Sequence, residues 1–243
     1  MIRFILLILY IFLLMIPFGL PALGLVYLIG PFSSVLQLRL ATRIVRRAMR
    51  ITWGICGIRL TVEGLKNIPD KGSCFFVSNH RSYFDIFVTY PLLKGPCGQL
   101  AKQEFSKVPL LSAWMKLIRC VFLDRSSTRA ALSSAQQMQE TLAAGISLWA
   151  CPEGTRNHKE DMLPFKEGAF RPAFRAGVPI VPVAITNADA VYELHRPFIR
   201  SAPVAVRFLP PVKTEGLSKL EQKDLIADIQ RQISEACAEL SAR

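Results

Sequence analysis

The chain has 243 residues, of which 51% are hydrophobic and 20% are charged, and its formal net charge is +12. This length is enough for one sizeable domain with an appendage. The positive charge does not indicate a nucleic-acid partner, because the sequence has no nucleic-acid-binding motif and its basic residues do not alternate with stacking aromatics. We expect an anionic lipid surface and an anionic substrate instead.

The cysteines predict neither disulfides nor a metal site. They stand at positions 56, 74, 97, 120, 151 and 237 and show no CxxC pair and no metal-ligand spacing. Most lie in apolar runs, which indicates buried free thiols in a reducing cytoplasm. We therefore expect no metal and no organic cofactor.

The N-terminal region is apolar and lacks acidic residues. No charged residue lies between Arg3 and Arg39, and the first carboxylate is Glu63. This run exceeds the roughly 20 residues of a spanning helix and the roughly 7–15 apolar residues of a secretory signal, so it predicts a retained membrane anchor. Prolines and glycines at 17, 19, 21, 24 and 30 interrupt it. They leave open one kinked span, a re-entrant hairpin or two short interfacial helices.

A basic helix is predicted directly after this run. Arginines at helical spacing, with apolar residues between them, stand at positions 39, 43, 46, 47 and 50. The pattern favours an amphipathic helix on an anionic membrane surface, and an ordinary solvated helix face is the alternative. The positive-inside rule places the following domain on the cytoplasmic side of the cell (inner) membrane. We divide the chain into an anchor with its basic helix, 1–57, and a second domain, 58–243.

The second domain alternates short apolar runs with amphipathic stretches. The predicted strands are 58–63, 74–79, 97–102, 119–124, 147–151, 179–186 and 203–209. Helices are predicted over 127–144 and, from a capping box, over 218–240. This alternation predicts an α/β fold with a mostly parallel central sheet and helices on both faces. We expect the prolines of the strand 179–186 to restrict it to an edge or an irregular path.

The segment Asn79-His80-Arg81-Ser82-Tyr83-Phe84-Asp85 follows one of the predicted strands. A histidine with a carboxylate partner can take a proton from a substrate hydroxyl near neutral pH. Residues five apart do not meet on a straight helix, so we place His80 in the strand-to-helix turn and Asp85 in the first helical turn. Ser82 and Asp85 also match a capping box. Asp85 acting only as a helix cap is the alternative.

Another predicted strand, 147–151, ends in Pro152-Glu153-Gly154-Thr155-Arg156. The glycine lets the backbone approach a ligand closely, and the guanidinium of Arg156 can bind a phosphate with two hydrogen bonds. These features favour an anionic ligand. A structural turn with an internal pair between Glu153 and Arg156 is the alternative.

Three further basic residues are candidates for phosphate contacts. Arg125 precedes a predicted helix start, where anions are favoured, although it could simply pair with Asp124 at the surface. Lys102 ends the predicted strand 97–102, and Lys166 lies in the loop after Arg156. For each lysine two interpretations remain open, contact with a phosphate and simple exposure to solvent.

Together NHRSYFD, FLDRS, PEGTR and VPIVPV, in this order, resemble the four sequence blocks of the glycerolipid acyltransferases, most closely the bacterial lysophosphatidate (1-acyl-sn-glycerol-3-phosphate) acyltransferases. The resemblance covers roughly residues 60–210. It implies that His80 and Asp85 are the catalytic pair. It also implies that Arg125 and the segment 153–156 bind the glycerol phosphate, and Lys102 matches a lysine of the family.

Two departures from the family pattern concern the neighbours of these residues. Arg81-Ser82-Tyr83 stands where bacterial members commonly have Gln-Ser-Trp, and Cys151 stands where they have Phe. Neither change touches the acid–base pair or the phosphate ligands. The departures bear on the choice of acceptor rather than on the type of reaction.

The implied reaction moves an acyl group from acyl carrier protein or coenzyme A to the sn-2 hydroxyl of 1-acylglycerol 3-phosphate, giving phosphatidic acid for phospholipid biosynthesis. No covalent nucleophile is evident, because GxSxG is absent and the sequence shows no base for Cys151, so we expect direct transfer. Another lysolipid or glycerol 3-phosphate is the alternative acceptor. A non-catalytic membrane lipid-binding protein is the remote alternative, and such a protein need not retain His80 and Asp85.

Overall fold

The computed structural model describes residues 1–124, 126–157 and 161–242, apart from the side chain of Met15. Within these ranges one sheet has the strand order β1-β7-β6-β2-β5-β3-β4. Every strand pairing is parallel except that of β6 with β7. The strands are β1 (Arg59–Glu63), β2 (Phe75–Ser78), β3 (Cys97–Lys102), β4 (Val121–Leu123), β5 (Ser147–Ala150), β6 (Ile180–Thr186) and β7 (Pro203–Phe208). The predicted mostly parallel sheet is confirmed.

Helices cover both faces of this sheet. They are α1 (Ile2–Leu13), α2 (Gly19–Ile29), α3 (Ser34–Cys56), α4 (Phe84–Thr89), α5 (Pro109–Leu117), α6 (Thr128–Ala143), α7 (Arg171–Ala176) and α8 (Lys219–Ser241). The predicted capping box at the start of α8 is present, with reciprocal hydrogen bonds between Ser218 and Glu221. Helix α6 begins after Ser127, whose hydroxyl accepts a hydrogen bond from Ala130 N.

Two apolar cores, one on each face, explain why the strands lack polar alternation. Phe76 points to the core that α3, α4 and α5 cover, where its ring packs 5.2 Å from that of Trp149. Its neighbour Phe75 points to the opposite core, which α6, α7 and α8 cover, and its ring lies 6.3 Å from that of Phe170. Adjacent residues of one strand are therefore both buried.

Strand β6 lies inside the sheet, between β2 and β7, and all its residues are buried. The expectation of an edge strand is therefore wrong. The antiparallel pairing with β7 begins at Val183, one residue after Pro182. The carbonyl of Pro182 accepts from Leu209 N at 2.9 Å, just beyond the end of β7. An extended residue points its N–H and C=O to the same side, so the return hydrogen bond that an N–H at position 182 would donate to Leu209 O is missing. The next pair, Ile180 with Val212, is shifted by one residue, which is an irregular path of the kind that the prolines predict.

The N-terminal region forms a helical hairpin. α1, a π-helical segment (Leu14–Phe18) and α2 form one apolar helix over Ile2–Ile29, which by length and composition could cross a membrane. Helix α3 then packs back along it. Arg3 Nη1 donates to Cys56 O at 2.7 Å, and the Tyr10 hydroxyl donates to Ala48 O at 2.9 Å. The apolar run itself is one helix interrupted by the π-helical segment, and which of the three membrane arrangements it takes stays a prediction.

Helix α3 also contacts the α/β part of the chain. Arg46 Nη2 and Arg50 Nη2 each donate at 3.0 Å to carbonyls of the loop after α4, those of Gly95 and Pro91. These two arginines of the predicted basic face therefore form hydrogen bonds within the fold. Arg50 is nevertheless exposed, as are Arg39, Arg43 and Arg47. The division of the chain at 57 and 58 stays a prediction.

Candidate active site

The turn after β2 is fixed to β6 by a buried asparagine. Asn79 Nδ2 donates to Ile185 O at 2.8 Å, and Ile185 N donates back to Asn79 Oδ1 at 2.9 Å. The side chain of Asn79 thus continues the sheet by one residue beyond β2. As a result, His80 leaves the carboxyl edge of the sheet from a rigid position, at the edge where ligands bind in folds of this class.

His80 and Asp85 form the predicted pair. Asp85 Oδ2 lies 2.8 Å from His80 Nδ1 and also accepts from the backbone N–H groups of Arg81 and Ser82, both at 2.9 Å. Asp85 is 2% exposed. A carboxylate acceptor holds the proton on Nδ1 and leaves Nε2 with its lone pair. The geometry is that of an oriented general base.

The start of α4 differs by one residue from the prediction. The residue at the N-cap is Tyr83 rather than Ser82, and the Ser82 hydroxyl accepts from Phe84 N at 2.9 Å. The reciprocal half of the predicted box is present, because Asp85 accepts from Ser82 N. Asp85 therefore orients His80 and stabilises the helix start with the same oxygen atom.

Glu153 joins the two loops that frame this pair. Its Oε1 accepts from His80 N at 2.8 Å, and its Oε2 accepts from Leu163 N at 3.0 Å. Asn157 N donates to His80 O at 2.8 Å, so the histidine's backbone is held on both sides. Burial raises the pKa of the Glu153 carboxyl, against the lowering effect of these backbone N–H groups. Both oxygens of the Glu153 carboxylate therefore accept hydrogen bonds from the protein backbone.

Arg156 lies against the start of α4. Its Cζ is 3.5 Å from the centroid of the Tyr83 ring, and its Nη1 is 3.6 Å from Glu193 Oε1. Glu193, which follows β6, in turn accepts from the Ser82 hydroxyl at 2.7 Å and from Tyr83 N at 2.8 Å. The guanidinium is therefore oriented by an aromatic ring and a buried carboxylate, next to the turn that holds His80.

The other residues predicted to bind phosphate differ in their surroundings. Gly154 has φ +75°, and a Cβ at this position would lie 2.6 Å from Lys166 Nζ, so the ammonium lies over the glycine. Thr155 is exposed in the same loop. Lys102 is exposed at the end of β3, at the same edge of the sheet. Arg125 lies outside the described residues.

Cys151 lies beside the histidine. It directly follows β5, its Sγ is 3.5 Å from the Ser78 hydroxyl, and it is close enough to affect the charge state of the imidazole. The sequence did not show this proximity of Cys151 to His80. Burial of the ring lowers the pKa of His80, but the electrostatic influence of Cys151 and the hydrogen bond with Asp85 outweigh this effect and raise it above its ordinary value.

Comparison with known proteins assigns this geometry to a family. Residues 59–186, which contain His80, Asp85 and Arg156, match the family model described as Acyltransferase. The chain belongs to the acyltransferase family. It is 38% identical over 165 residues to the 1-acyl-sn-glycerol-3-phosphate acyltransferase alpha of Homo sapiens, an alignment that covers 67% of this chain and 58% of the human protein. The chain thus spans less than two thirds of that relative.

A bacterial relative and a solved structure extend the comparison. The acyltransferase is 28% identical over 185 residues to the 1-acyl-sn-glycerol-3-phosphate acyltransferase of Salmonella typhimurium, covering 76% of this chain and 75% of that protein. It shares its fold with the crystal structure of the 1-acyl-sn-glycerophosphate (LPA) acyltransferase PlsC from Thermotoga maritima. The TM-score is 0.84 at 24% identity, over 100% of this chain and 98% of the other.

Two acidic residues of this acyltransferase site were not predicted. Glu193 holds the start of α4, and Asp189 Oδ2 accepts from Arg81 Nε at 3.2 Å. Both follow β6, whose carboxyl end lies at the same sheet edge as that of β2. The rule that sites lie at the carboxyl ends of strands therefore also covers the segment 187–195, and it is the signal that could have located these two residues.

The effect of Cys151 on His80 predicts a shift in the pH profile. A general base works deprotonated, so a raised pKa of His80 moves the acidic limb of kcat/KM above pH 6.5. Removing the sulfur in Cys151→Ala lowers this pKa, and the mutant should keep its activity to a lower pH than the wild type. The measurement is kcat/KM for both substrates between about pH 5 and 11, since the raised pKa of His80 is about 11.

Cys74→Ala is the matched control for this shift. Cys74 precedes β2 at the opposite edge of the sheet, where its Sγ lies 3.6 Å from the Ser147 hydroxyl. Cys74→Ala should leave the pH of the acidic limb of kcat/KM unchanged. An acidic limb at the same pH in wild type and Cys151→Ala would contradict the assigned influence of the thiol.

Proposed function

We propose that this acyltransferase transfers a fatty acyl group from an acyl thioester to the sn-2 hydroxyl of 1-acylglycerol 3-phosphate, giving phosphatidic acid. The observation that supports this most strongly is the juxtaposition of the His80–Asp85 pair with the oriented guanidinium of Arg156. The first provides a base for a hydroxyl, and the second provides a ligand for a phosphate. The acceptor named for the human and bacterial relatives contains both groups.

In the proposed reaction, His80 Nε2 removes the proton of the sn-2 hydroxyl while the oxygen attacks the thioester carbonyl. Asp85 stabilises the resulting imidazolium through Nδ1. When the tetrahedral intermediate collapses, the carbon–sulfur bond breaks and the imidazolium returns the proton to the departing thiolate. The products are phosphatidic acid and the free thiol of acyl carrier protein or coenzyme A. Each residue ends in its starting protonation state.

The phosphate ligands in this proposal are basic residues at or after strand ends. Arg156 and Lys166 lie in the loop after β5, and Lys102 is the last residue of β3. Arg125 is assigned from its position in the sequence. The backbone at Gly154 and the side chain of Thr155 complete the pocket for the glycerol phosphate. We assign Glu153 a positioning role, because its carboxylate already accepts two backbone hydrogen bonds.

The test is a transfer assay with purified protein in mixed micelles. Acyl carrier protein and coenzyme A thioesters are each offered with 1-acylglycerol 3-phosphate, a lyso-aminolipid, another lysophospholipid and glycerol 3-phosphate, and thiol release and product mass are followed. We expect phosphatidic acid from 1-acylglycerol 3-phosphate as the fastest product. Faster acylation of an acceptor without phosphate, or no transfer at all, would contradict the proposal.

We further propose that the N-terminal hairpin holds the enzyme on the cytoplasmic face of the membrane, so that the acceptor enters from the bilayer. Large apolar side chains are exposed along α1 and α2, and Phe32 at the hairpin turn is 89% exposed. The hairpin also reaches the site, because the ring of Phe4 stacks 6.5 Å from that of Tyr192, next to Glu193.

This placement predicts the effect of a charge at the hairpin turn. Burying a phenylalanine contributes about 1.5–3 kcal/mol, and a carboxylate is repelled by anionic lipid. Phe32→Glu should therefore weaken binding to anionic vesicles by about tenfold or more. Flotation with vesicles measures it, and Leu220→Glu on α8, where the leucine is 69% exposed, is the control. Equal binding of the two variants would contradict an inserted turn.

A further inference from the structure

Glu193 is a buried carboxylate that contacts both parts of the site. Its side chain is 1% exposed, and it accepts from the Ser82 hydroxyl at 2.7 Å and from Tyr83 N at 2.8 Å. A buried charge is stable only where hydrogen bonds or an opposite charge compensate the loss of water. The start of α4 provides the hydrogen bonds, and Arg156 provides the opposite charge. Glu193 therefore links the His80 turn to the arginine.

The contact between Glu193 and Arg156 is electrostatic rather than a hydrogen bond. The distance of 3.6 Å from Arg156 Nη1 to Glu193 Oε1 is too long for a hydrogen bond. Nη1 is buried and has no hydrogen-bond acceptor within the described parts of the chain. A buried donor without an acceptor is unfavourable. Among the described residues, Nη1 is therefore held by the charge of Glu193 alone, while the arginine side chain as a whole stays 25% exposed and so accessible to an anionic ligand.

Tyr83 fixes the plane of the same guanidinium. Arg156 Cζ lies 3.5 Å from the centroid of the tyrosine ring, which is close contact for a cation on an aromatic face. The backbone of Tyr83 is itself held by Glu193. The carboxylate thus acts on Arg156 directly through its charge and indirectly through the ring on which the arginine lies.

We propose that Glu193 is a positioning residue, which orients Arg156 for the phosphate of the acceptor. This inference rests on the proposed function, in which Arg156 binds that phosphate. A planar guanidinium binds phosphate with two parallel hydrogen bonds only when its plane is correctly placed. Loss of the carboxylate's charge should therefore weaken acceptor binding and leave the donor and the proton transfer largely unaffected.

The test begins with Glu193→Gln, which preserves the size of the side chain. The glutamine keeps a carbonyl oxygen for Tyr83 N and an amide that can donate to the Ser82 hydroxyl, so the start of α4 stays bonded. We expect KM for 1-acylglycerol 3-phosphate to rise about tenfold, while kcat and the donor KM change by less than about threefold. A merely structural role would lower the thermal midpoint and affect both substrates alike.

Glu63→Gln is the matched control. Glu63 Oε2 accepts from Arg207 Nε at 2.7 Å, so this variant also removes a carboxylate from an arginine, but on β1 and β7 at the other side of the sheet. It should leave the KM of the acceptor unchanged. An equal rise in both variants would overturn the inference, because the effect would then come from a general loss of ion pairs.

A double-mutant cycle with Arg156→Ala decides whether Glu193 acts through the arginine. If it does, Glu193→Gln should add no further rise in the acceptor KM once Arg156 is absent. The same fold increase in both backgrounds would overturn the inference. The proposed function fails separately, in the wild-type assay, if 1-acylglycerol 3-phosphate is not acylated. An active wild type with additive variants leaves that function standing and refutes only the role of Glu193.

Discussion

His80→Ala is expected to lower kcat by about 10²–10⁴-fold, because the substitution removes the general base. The fold around it should persist. The hydrogen bonds from His80 N to Glu153 and from Asn157 N to His80 O involve the backbone and are independent of the imidazole. Steady-state transfer to 1-acylglycerol 3-phosphate measures the loss, and vesicle flotation and thermal unfolding should match those of the wild type.

His195→Ala is the control for this prediction, since His195 lies in the turn after Tyr192 and takes no part in the proposed reaction. Its kcat should stay within about threefold of the wild type. If His80→Ala retained transfer within tenfold of the wild type, His80 would not be the base.

Arg156→Ala is expected to raise KM for the acceptor by about 10–100-fold, because a charge-assisted, two-point contact with the phosphate is lost. The donor KM should change little, since the acyl thioester does not contact this guanidinium in the proposed reaction. The acceptor KM of Arg156→Lys should lie between those of the wild type and Arg156→Ala, because lysine keeps the charge but not the planar pair of donors. Initial rates over a matrix of both substrate concentrations measure these constants.

The structural consequence of Arg156→Ala has to be separated from binding. The substitution leaves Glu193 buried without its positive neighbour, although the hydrogen bonds from Ser82 and Tyr83 remain. A thermal midpoint for each variant shows whether the site is intact. An unchanged acceptor KM in a folded Arg156→Ala variant would remove the residue from the phosphate site.

The elements that the sequence predicted well are those set by local signals. Apolar runs located the strands that frame the site, and the starts of α6 and α8 follow from the serine side chains that cap them. The His80–Asp85 pair was also predictable, because its spacing is compatible with contact only across a strand-to-helix turn. Even there, the sequence could not show that one oxygen of Asp85 serves both the histidine and the helix start.

The remaining features depend on contacts between residues far apart in the chain. Glu193 lies 110 residues after Tyr83, and no local pattern connects them. Cys151 meets His80 only because β2 and β5 are neighbours in the sheet. The prolines predicted an edge position for β6 because a proline cannot donate to a strand ladder. The sequence could not show that β6 lies inside the sheet with its pairing to β7 interrupted at Pro182.

The most direct test of the proposed acceptor site is whether the enzyme prefers an acceptor that carries a phosphate. The wild-type enzyme is given 1-acylglycerol 3-phosphate and the matched 1-monoacylglycerol, which has the same free hydroxyl and acyl chain but no phosphate. The proposed site predicts a kcat/KM at least about 100-fold higher for the phosphate-bearing lipid, and a much smaller preference in Arg156→Ala. Equal kcat/KM values for the two lipids in the wild type would contradict the proposed acceptor site.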